Sequence, residues 1–417
     1  MKKRLALLIV LIAAIVIAVL WWRENRSYDG PVQQVTASSE QIARGRYLTQ
    51  AADCAACHTA AGGAPLAGGY PLDTPFGTIY GSNLTPSADQ GIGRWTKDDF
   101  FLALTQGVAP GGRHLYPAMP YTSYKGISRE DADAIYAYLM SRPAVDVAIP
   151  ANDMPFPFNQ RMALIGWNLL FRNNDPLPAS SQGNSAEWQR GRYLSDVLGH
   201  CGECHTPRGM LGQMELSKPM QGGDLGRFIA PDITPQALAQ RGWTPEDLSR
   251  FLSTGLAPQG SAFSEMHMVV DLSTRHLTPQ DHQALVTYLM GDKPPQPVAA
   301  KIGQGSDAGR TTYLDQCSAC HERDGAGKPH VAVAMRDNAT LRQPDGKNLI
   351  VSVLDGLPAQ QFPGNESMQS MPGFADRLDD AQIAELVNYL RVTWGGLPAD
   401  ITAEQVKALR KAHEPRP

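Results

Sequence analysis

The sequence predicts an all-α protein of three similar helical domains in tandem, preceded by one N-terminal transmembrane helix. Three observations lead to this prediction. The N-terminus carries a long apolar run, one pentapeptide with two cysteines occurs three times, and two helical patterns recur around each copy. At 417 residues the chain is long enough for two to four domains of ordinary size.

The apolar run extends from residue 5 to residue 22 and follows a basic stretch at residues 2–4. A helix of this length can span a bilayer, and the basic stretch places the N-terminus in the cytoplasm. A cleaved signal peptide is the alternative, but the run is long for one and no small-x-small cleavage site follows it. We therefore expect residues 1–26 to be an uncleaved anchor in the inner (cytoplasmic) membrane, with the rest of the chain in the periplasm.

Two helical patterns define each repeat. The first reads Arg-Gly-Arg-Tyr-Leu at residues 44–48 and 190–194, with a looser version at 309–314. The second closes the repeat and carries Tyr-Leu near its end, with predicted helices at 128–140, 278–290 and 379–391. The predicted domains are 37–172, 186–292 and 304–395, followed by a C-terminal tail helix within 396–417. Linkers are predicted at 27–37, at 173–185 and from 293 onward.

All six cysteines lie in three Cys-x-x-Cys-His pentapeptides, the spacing of c-type haem attachment. Two thiols one helical turn apart can form thioethers with the two vinyl groups of one haem, and the adjacent histidine then binds the iron. A structural zinc site or a redox dithiol would not explain why every pair is followed by histidine. The predicted attachment residues are Cys54, Cys57, Cys201, Cys204, Cys317 and Cys320, and the predicted proximal ligands are His58, His205 and His321. The sequence therefore predicts three covalently bound haem c groups.

A second axial ligand is expected in the loop before each closing helix, where methionine is the usual partner of histidine. Met119 and Met266 each follow the proximal histidine of their repeat by 61 residues. This equal spacing favours both as iron ligands. His267 and Met268 are close competitors of Met266.

In the third repeat the predicted sixth ligand is Met371, which follows the proximal histidine by 50 residues. Met368 is the alternative. The proline after Met371 favours an extended turn that can direct the sulfur inward. Isolated methionines usually fill cores, so these assignments rest on position and spacing.

The composition excludes one class of function. The formal net charge is −4, and haem propionates would make the protein more acidic, so nucleic-acid binding is disfavoured. The 39 glycines and 32 prolines indicate long ordered loops between the helices.

The arrangement of each repeat resembles the class I cytochrome c fold, in which the first and last helices cross at a contact between a glycine and an aromatic residue. The matching pairs in this sequence are Gly45 with Tyr138, Gly191 with Tyr288, and Gly309 with Tyr389.

Longer stretches at 77–86, 114–121 and 200–209 resemble the cytochrome c subunit of membrane-bound bacterial dehydrogenases. The resemblance implies a relay that carries electrons from a periplasmic catalytic subunit to ubiquinone or another respiratory acceptor. The partner would be a quinoprotein, flavin or molybdenum dehydrogenase that oxidises an alcohol, an aldehyde or a sugar acid. No catalytic residue is assigned to this chain itself. The alternatives are a multihaem peroxidase or reductase, which needs an open sixth iron position, and a haem subunit of a terminal oxidase.

Overall fold

The computed structural model describes residues 2–172 and 185–411. The chain forms two compact units, one of Met1–Ser180 with Asp196–His200, and one of Ser181–Ser195 with Cys201–Pro417. The first unit holds the first predicted repeat, whereas the second unit holds most of the second repeat and all of the third. The division into three domains stays a prediction. Most of the predicted linker 173–185 and the last residues of the tail lie outside the described residues.

The first unit begins with the apolar helix. Its elements are α1 (Lys2–Asn25), α2 (Ser39–Ala51), α3 (Cys54–His58), β1 (Pro71–Thr74), β2 (Gly77–Tyr80), α4 (Lys97–Gln106), β3 (Val108–Ala109), β4 (Arg113–His114), α5 (Tyr121–Tyr124), α6 (Arg129–Met140) and α7 (Ala163–Phe171). Helix α1 is long and apolar enough to cross a membrane, a property that signal sequences share.

The last turn of α1 packs on the first unit. The Glu24 carboxylate accepts hydrogen bonds from the backbone N–H and the Nδ1 of His114, both at 2.7 Å, and Glu24 is only 2% exposed. Arg26 donates to the carbonyl of Gly111 at 3.2 Å. The C-terminal end of the apolar helix is therefore held against β4.

Helices α2 and α6 cross at the predicted glycine. A Cβ built on Gly45 would lie 1.9 Å from the carbonyl oxygen of Ala134 and 2.8 Å from the Cβ of Tyr138. Only glycine allows this close approach of two backbones. An ion pair between Arg44 Nη2 and Asp131 Oδ1 at 2.6 Å spans the same crossing.

The second unit repeats this plan twice. Its elements are α8 (Ala186–Arg192), a π-helical turn (Tyr193–Leu198) whose last residues are grouped with the first unit, α9 (Gly202–His205), β5 (Gln221–Asp224), β6 (Ile229–Asp232), α10 (Pro235–Gln240), α11 (Pro245–Thr254), β7 (Leu256–Ala257), β8 (Gly260–Ser261), α12 (Glu265–Leu272), α13 (Pro279–Met290), α14 (Asp307–Gln316), α15 (Ser318–His321), α16 (Lys347–Asp355), β9 (Gly356–Leu357), β10 (Gln360–Phe362), β11 (Glu366–Met368), β12 (Met371–Pro372), α17 (Asp380–Leu390), a π-helical turn (Arg391–Gly395) and α18 (Ala403–Lys411).

The two remaining glycine crossings lie in the second unit. A Cβ on Gly191 would lie 1.8 Å from the carbonyl oxygen of Ala284, and one on Gly309 would lie 2.4 Å from that of Glu385. The three opening helices thus meet the three closing helices in the same way. The closing helices α6, α13 and α17 begin one residue after the serine, threonine or aspartate that caps them.

The all-α prediction holds for the helical cores but missed short strands. In the described residues six two-stranded antiparallel sheets occur, each with strands of two to four residues. Strands this short do not show an alternating pattern that a sequence could reveal. The predicted tail helix is α18, where Val406 is fully buried and the tail packs on α16 and α17.

Candidate haem attachment sites

Each pentapeptide forms a short helix after an opening helix. Helix α3 spans its whole pentapeptide, whereas Cys201 and Cys317 are the caps of α9 and α15. Helices α3, α9 and α15 mark the three sites, and none of the six cysteines forms a disulfide bond. The spacing of i and i+3 places both thiols of a pair on one helical turn. This is the geometry that two thioethers to one haem require.

The three proximal histidines share one hydrogen-bonding arrangement. A backbone carbonyl oxygen lies close to each Nδ1 atom and can only accept a hydrogen bond, so Nδ1 carries the proton and the lone pair of Nε2 is free to bind iron. The pairs are His58 with Ser82 at 2.6 Å, His205 with Pro231 at 2.6 Å, and His321 with Val333 at 2.9 Å.

Burial acts on the ionisation of the proximal histidines and of the attachment cysteines. It lowers the pKa of all three histidines below the ordinary imidazole value, against the smaller opposing effect of the carbonyl, which favours the neutral form that binds iron. Burial also raises the pKa of Cys54 to about 12 and that of Cys57 to about 11. Reactive redox dithiols have a lowered pKa instead, so the environment of this pair disfavours the redox-dithiol interpretation.

Sequence reasoning missed the three acceptor carbonyls and one buried acid. Every residue type has a backbone carbonyl, so no side-chain pattern identifies Ser82, Pro231 or Val333. Asp53 directly precedes Cys54, is 6% exposed, and its Oδ1 has no hydrogen-bond partner. Burial raises the pKa of Asp53 to about 8. The sequence shows that Asp53 is next to Cys54, but it does not show that Asp53 is buried, because burial depends on tertiary packing.

The loop that carries Met119 is fastened beside the first attachment helix. Met119 is half-buried, and its N–H donates to the carbonyl of Tyr116 at 3.0 Å. The hydroxyl of Tyr124, on the helix that follows Met119, donates to the carbonyl of Ala52 at 2.7 Å. Ala52 lies two residues before Cys54, so the methionine loop and the attachment helix are held together.

Met266 is the second residue of α12 and is half-buried. Burial is the main cause that raises the pKa of the Cys204 thiol, and the charge of Glu265, the residue before Met266, adds a small further rise. The start of α12 is therefore close enough to the second attachment helix to act on it. The competitor His267 is engaged elsewhere. Its Nε2 lies 3.0 Å from the carbonyl of Gln361, and its ring contacts Phe362 with centroids 5.1 Å apart.

In the third repeat, Met371 and Cys317 pack against the same hydrophobic core. Met371 lies on β12, opposite Leu357 of β9, whereas Met368 lies on β11 opposite Gln360. The shared core favours Met371 over Met368 as the ligand. Across residues 2–172 and 185–411 no cluster of three or more His, Cys, Asp or Glu side chains could hold a metal ion, as a structural zinc site would require.

Comparisons with known proteins agree with this geometry. The cytochrome c family model matches residues 42–143 and 306–394, which contain the first and third pentapeptides. The gluconate 2-dehydrogenase cytochrome c subunit of Pantoea cypripedii is 38% identical over 399 residues, and the match covers 90% of each chain. The chain belongs to the family of dehydrogenase cytochrome c subunits. The resemblance inferred from its sequence is confirmed.

Two further relatives are similar over most of this chain. The fructose dehydrogenase cytochrome subunit of Gluconobacter japonicus is 35% identical over 420 residues, with 91% of this chain and 85% of that protein covered. A nicotinate dehydrogenase subunit from Pseudomonas putida is 38% identical over 411 residues, which cover 94% of this chain but only 34% of that longer protein. As a dehydrogenase cytochrome c subunit, the protein binds haem c covalently and transfers electrons.

Proposed function

We propose that this protein carries three haem c groups and relays electrons from a catalytic dehydrogenase subunit to a respiratory acceptor at the inner membrane. The observation that carries the proposal is the threefold repetition of one local geometry. Each attachment helix follows a glycine crossing, and each proximal histidine is held by a carbonyl that leaves Nε2 free. The middle repeat shares this geometry although the family model matches only the outer two.

The haems supply the one-electron chemistry when bound, and the chain supplies attachment, iron ligands and surroundings. Cysteine pairs hold each haem covalently, and a histidine and a methionine hold each iron. The proposed sets are Cys54, Cys57, His58 and Met119; Cys201, Cys204, His205 and Met266; and Cys317, Cys320, His321 and Met371. A methionine at the sixth position raises the potential and closes the iron to other ligands, which suits electron transfer rather than peroxide reduction.

The membrane assignment rests on α1. Its apolar run is flanked by basic residues on the N-terminal side, which supports a cytoplasmic N-terminus and haem sites in the periplasm. The buried contact between Glu24 and His114 ties the end of α1 to the rest of the first unit, which supports an uncleaved α1. A signal peptide that is removed after export has no need of such a contact.

The partner is proposed from the relatives. Their names refer to gluconate, fructose and nicotinate dehydrogenases, which supports a catalytic dehydrogenase subunit as the partner. The quinoprotein, flavin or molybdenum type is proposed from the resemblance of the sequence to this family. Ubiquinone or another respiratory-chain component is the proposed electron acceptor.

The native complex tests this function directly. We expect a dehydrogenase subunit to copurify with the chain from detergent-solubilised membranes, to be identified by peptide mass. Its substrate, added without oxygen, should then reduce the haems. An oxidase core as the companion would refute the proposal, as would a haem that reacts rapidly with hydrogen peroxide.

A further inference from the structure

The Ser82 carbonyl, which accepts from the first proximal histidine, lies just after strand β2. Hydrogen bonds with residues 152 and 153 hold this strand in place. Ser82 accepts from His58, and two residues earlier the Tyr80 N–H donates to Oδ1 of Asn152 at 3.0 Å. Asn152 lies after α6, within the same repeat. The backbone of Asp153 also pairs with that of Thr78, so this strand has two supports.

The second site has the same arrangement, but the asparagine comes from the third repeat. Two residues before Pro231, the Ile229 N–H donates to Oδ1 of Asn348 at 2.7 Å. The Asn348 Nδ2 donates back to the Ile229 carbonyl at 2.8 Å. One side chain therefore satisfies both backbone groups of Ile229, as a neighbouring strand would.

The third site is held without an asparagine. Two residues before Val333, the Val331 carbonyl accepts from the backbone N–H of Gln369 at 3.0 Å. We call the group that holds the backbone two residues before each acceptor carbonyl the clamp of that site. Gln369 lies between Met368 and Met371, so the clamp of the third site comes from the predicted sixth-ligand loop of the same repeat. Of the three sites, the second alone has its clamp in a different repeat.

Asn348 is built into the packing between α16 and the β5–β6 hairpin. It is 3% exposed, and its Nδ2 donates to Oε1 of Gln343 at 3.2 Å. Two ion pairs flank it, Arg227 Nη2 with Asp355 Oδ1 at 2.5 Å and Lys347 Nζ with Asp224 Oδ1 at 2.8 Å. These pairs bring the hairpin and the helix together, and Asn348 anchors β6 at Ile229.

The position of β6 determines how the Pro231 carbonyl lies relative to the Nδ1 of His205. A strong hydrogen bond to Nδ1 increases the electron density of the imidazole and stabilises the oxidised iron that it binds, which lowers the potential. Weakening this bond should therefore raise the potential of that haem alone.

We propose that Asn348 is a positioning residue for the second haem, through which the third repeat sets the potential of the haem held by the second. The inference rests on the proposed role of His205 as an iron ligand. It makes the two repeats of the second unit one redox element rather than two independent carriers.

The test is a potentiometric titration of the full-length holoprotein, followed by haem absorbance. Asn348→Ala should shift one of the three reduction waves upward. Asn152→Ala should shift a different wave upward, by less, because the Thr78 and Asp153 pairing remains. Lys347→Met removes the neighbouring ion pair without touching Ile229 and should leave all three waves in place.

Several outcomes would overturn the inference. They are no shift in Asn348→Ala, a uniform shift of all waves, the same wave moving in both asparagine variants, or an equal shift in Lys347→Met. If Asn348→Ala does not attach three haems, Asn348→Ser keeps a polar group in the packing and should give a smaller upward shift of the same wave. An unchanged titration of Asn348→Ser would then overturn the inference.

Peptide mass at the second attachment helix separates this inference from the proposed function. Absence of haem on Cys201 and Cys204 in the native chain would defeat the proposed function. Haem on both cysteines together with an unmoved wave would defeat only the role of Asn348.

Discussion

At the scale of single residues, the proposed iron ligands have unequal tasks. A histidine that directly follows the attachment cysteines remains under the iron as long as the thioethers are intact. A methionine reaches the other face from a loop, so its loss should change the electronic state of the haem without releasing it.

Met119→Ala should leave the first haem attached and lower its potential by on the order of a hundred millivolts, within the roughly 0.8 V range that axial ligands set. One of three methionine-to-iron charge-transfer bands should disappear from the spectrum of the oxidised protein. Met162→Ala is the matched control, since Met162 is also half-buried in the first unit, and should retain all three bands. Loss of the haem itself would contradict the assigned roles.

Asp53 makes the stability of the first unit depend on pH. Its pKa is raised to about 8 in the folded protein from an ordinary value of 3.8, because burial disfavours the charged form. Between these values the unfolded state binds fewer protons, so the free energy of unfolding should fall as pH rises. Asp53→Asn should remove this fall and add at least about 1 kcal/mol at pH 8.

Chemical denaturation of the first unit between pH 5 and pH 8 measures this effect. Asp89→Asn, which changes an exposed acid, should keep the wild-type dependence. The same pH dependence in Asp53→Asn and the wild type would show that Asp53 is ionised in the folded protein.

Residues whose chemistry requires a fixed local spacing could be predicted from the sequence. The attachment cysteines and proximal histidines are proposed on this basis. The choice among Met266, His267 and Met268 could not, because all three lie on one turn. The contacts of His267 with Gln361 and Phe362 set that residue apart, whereas the preference for Met266 over Met268 rests on its 61-residue spacing. The clamp by Asn348 joins positions 119 residues apart, and no local pattern encodes such a pair.

At the scale of secondary-structure elements, the glycine crossings hold each opening helix against its closing helix. The sequence predicted these helices and their glycine contacts because a 3.6-residue period and a cap are local signals. It did not predict the hairpin strands. Their two to four residues are determined by packing around the attachment helices.

Gly45→Ala should destabilise the first unit by about 1–3 kcal/mol, since the new methyl group would overlap the Ala134 carbonyl and force α2 and α6 apart. Gly166→Ala is the matched control on α7, where a Cβ meets nothing within 4 Å. It should be neutral or stabilise the unit by up to about 1 kcal/mol, because alanine favours a helix. Thermal unfolding compares the two. Equal unfolding temperatures would contradict a tight crossing.

At the scale of the whole molecule, the second unit combines two repeats that the sequence presents as separate domains. The buried Asn348 and the ion pairs beside it explain this grouping, since they tie α16 of the third repeat to a hairpin of the second. The sequence indicated the linkers but not these contacts, which depend on the tertiary fold.

Because α1 is proposed to be a membrane anchor, we expect the mature chain to keep its N-terminal helix. Intact mass of the membrane-extracted protein should include residues 1–26, and the chain should resist an alkaline carbonate wash. Glu24→Ala should increase hydrogen exchange at β4, because the His114 N–H loses its acceptor. A mature chain that begins near residue 27 would contradict the anchor while leaving the haem assignment intact.

We propose that three haems, each with a histidine and a methionine on the iron, form an electron relay. Near-infrared magnetic circular dichroism of the oxidised full-length protein, scaled to protein concentration, measures the number and the ligation of these haems. We expect three low-spin haems per chain, each with a methionine-to-iron charge-transfer band. Fewer than three haems, or one high-spin haem without this band, would refute the relay.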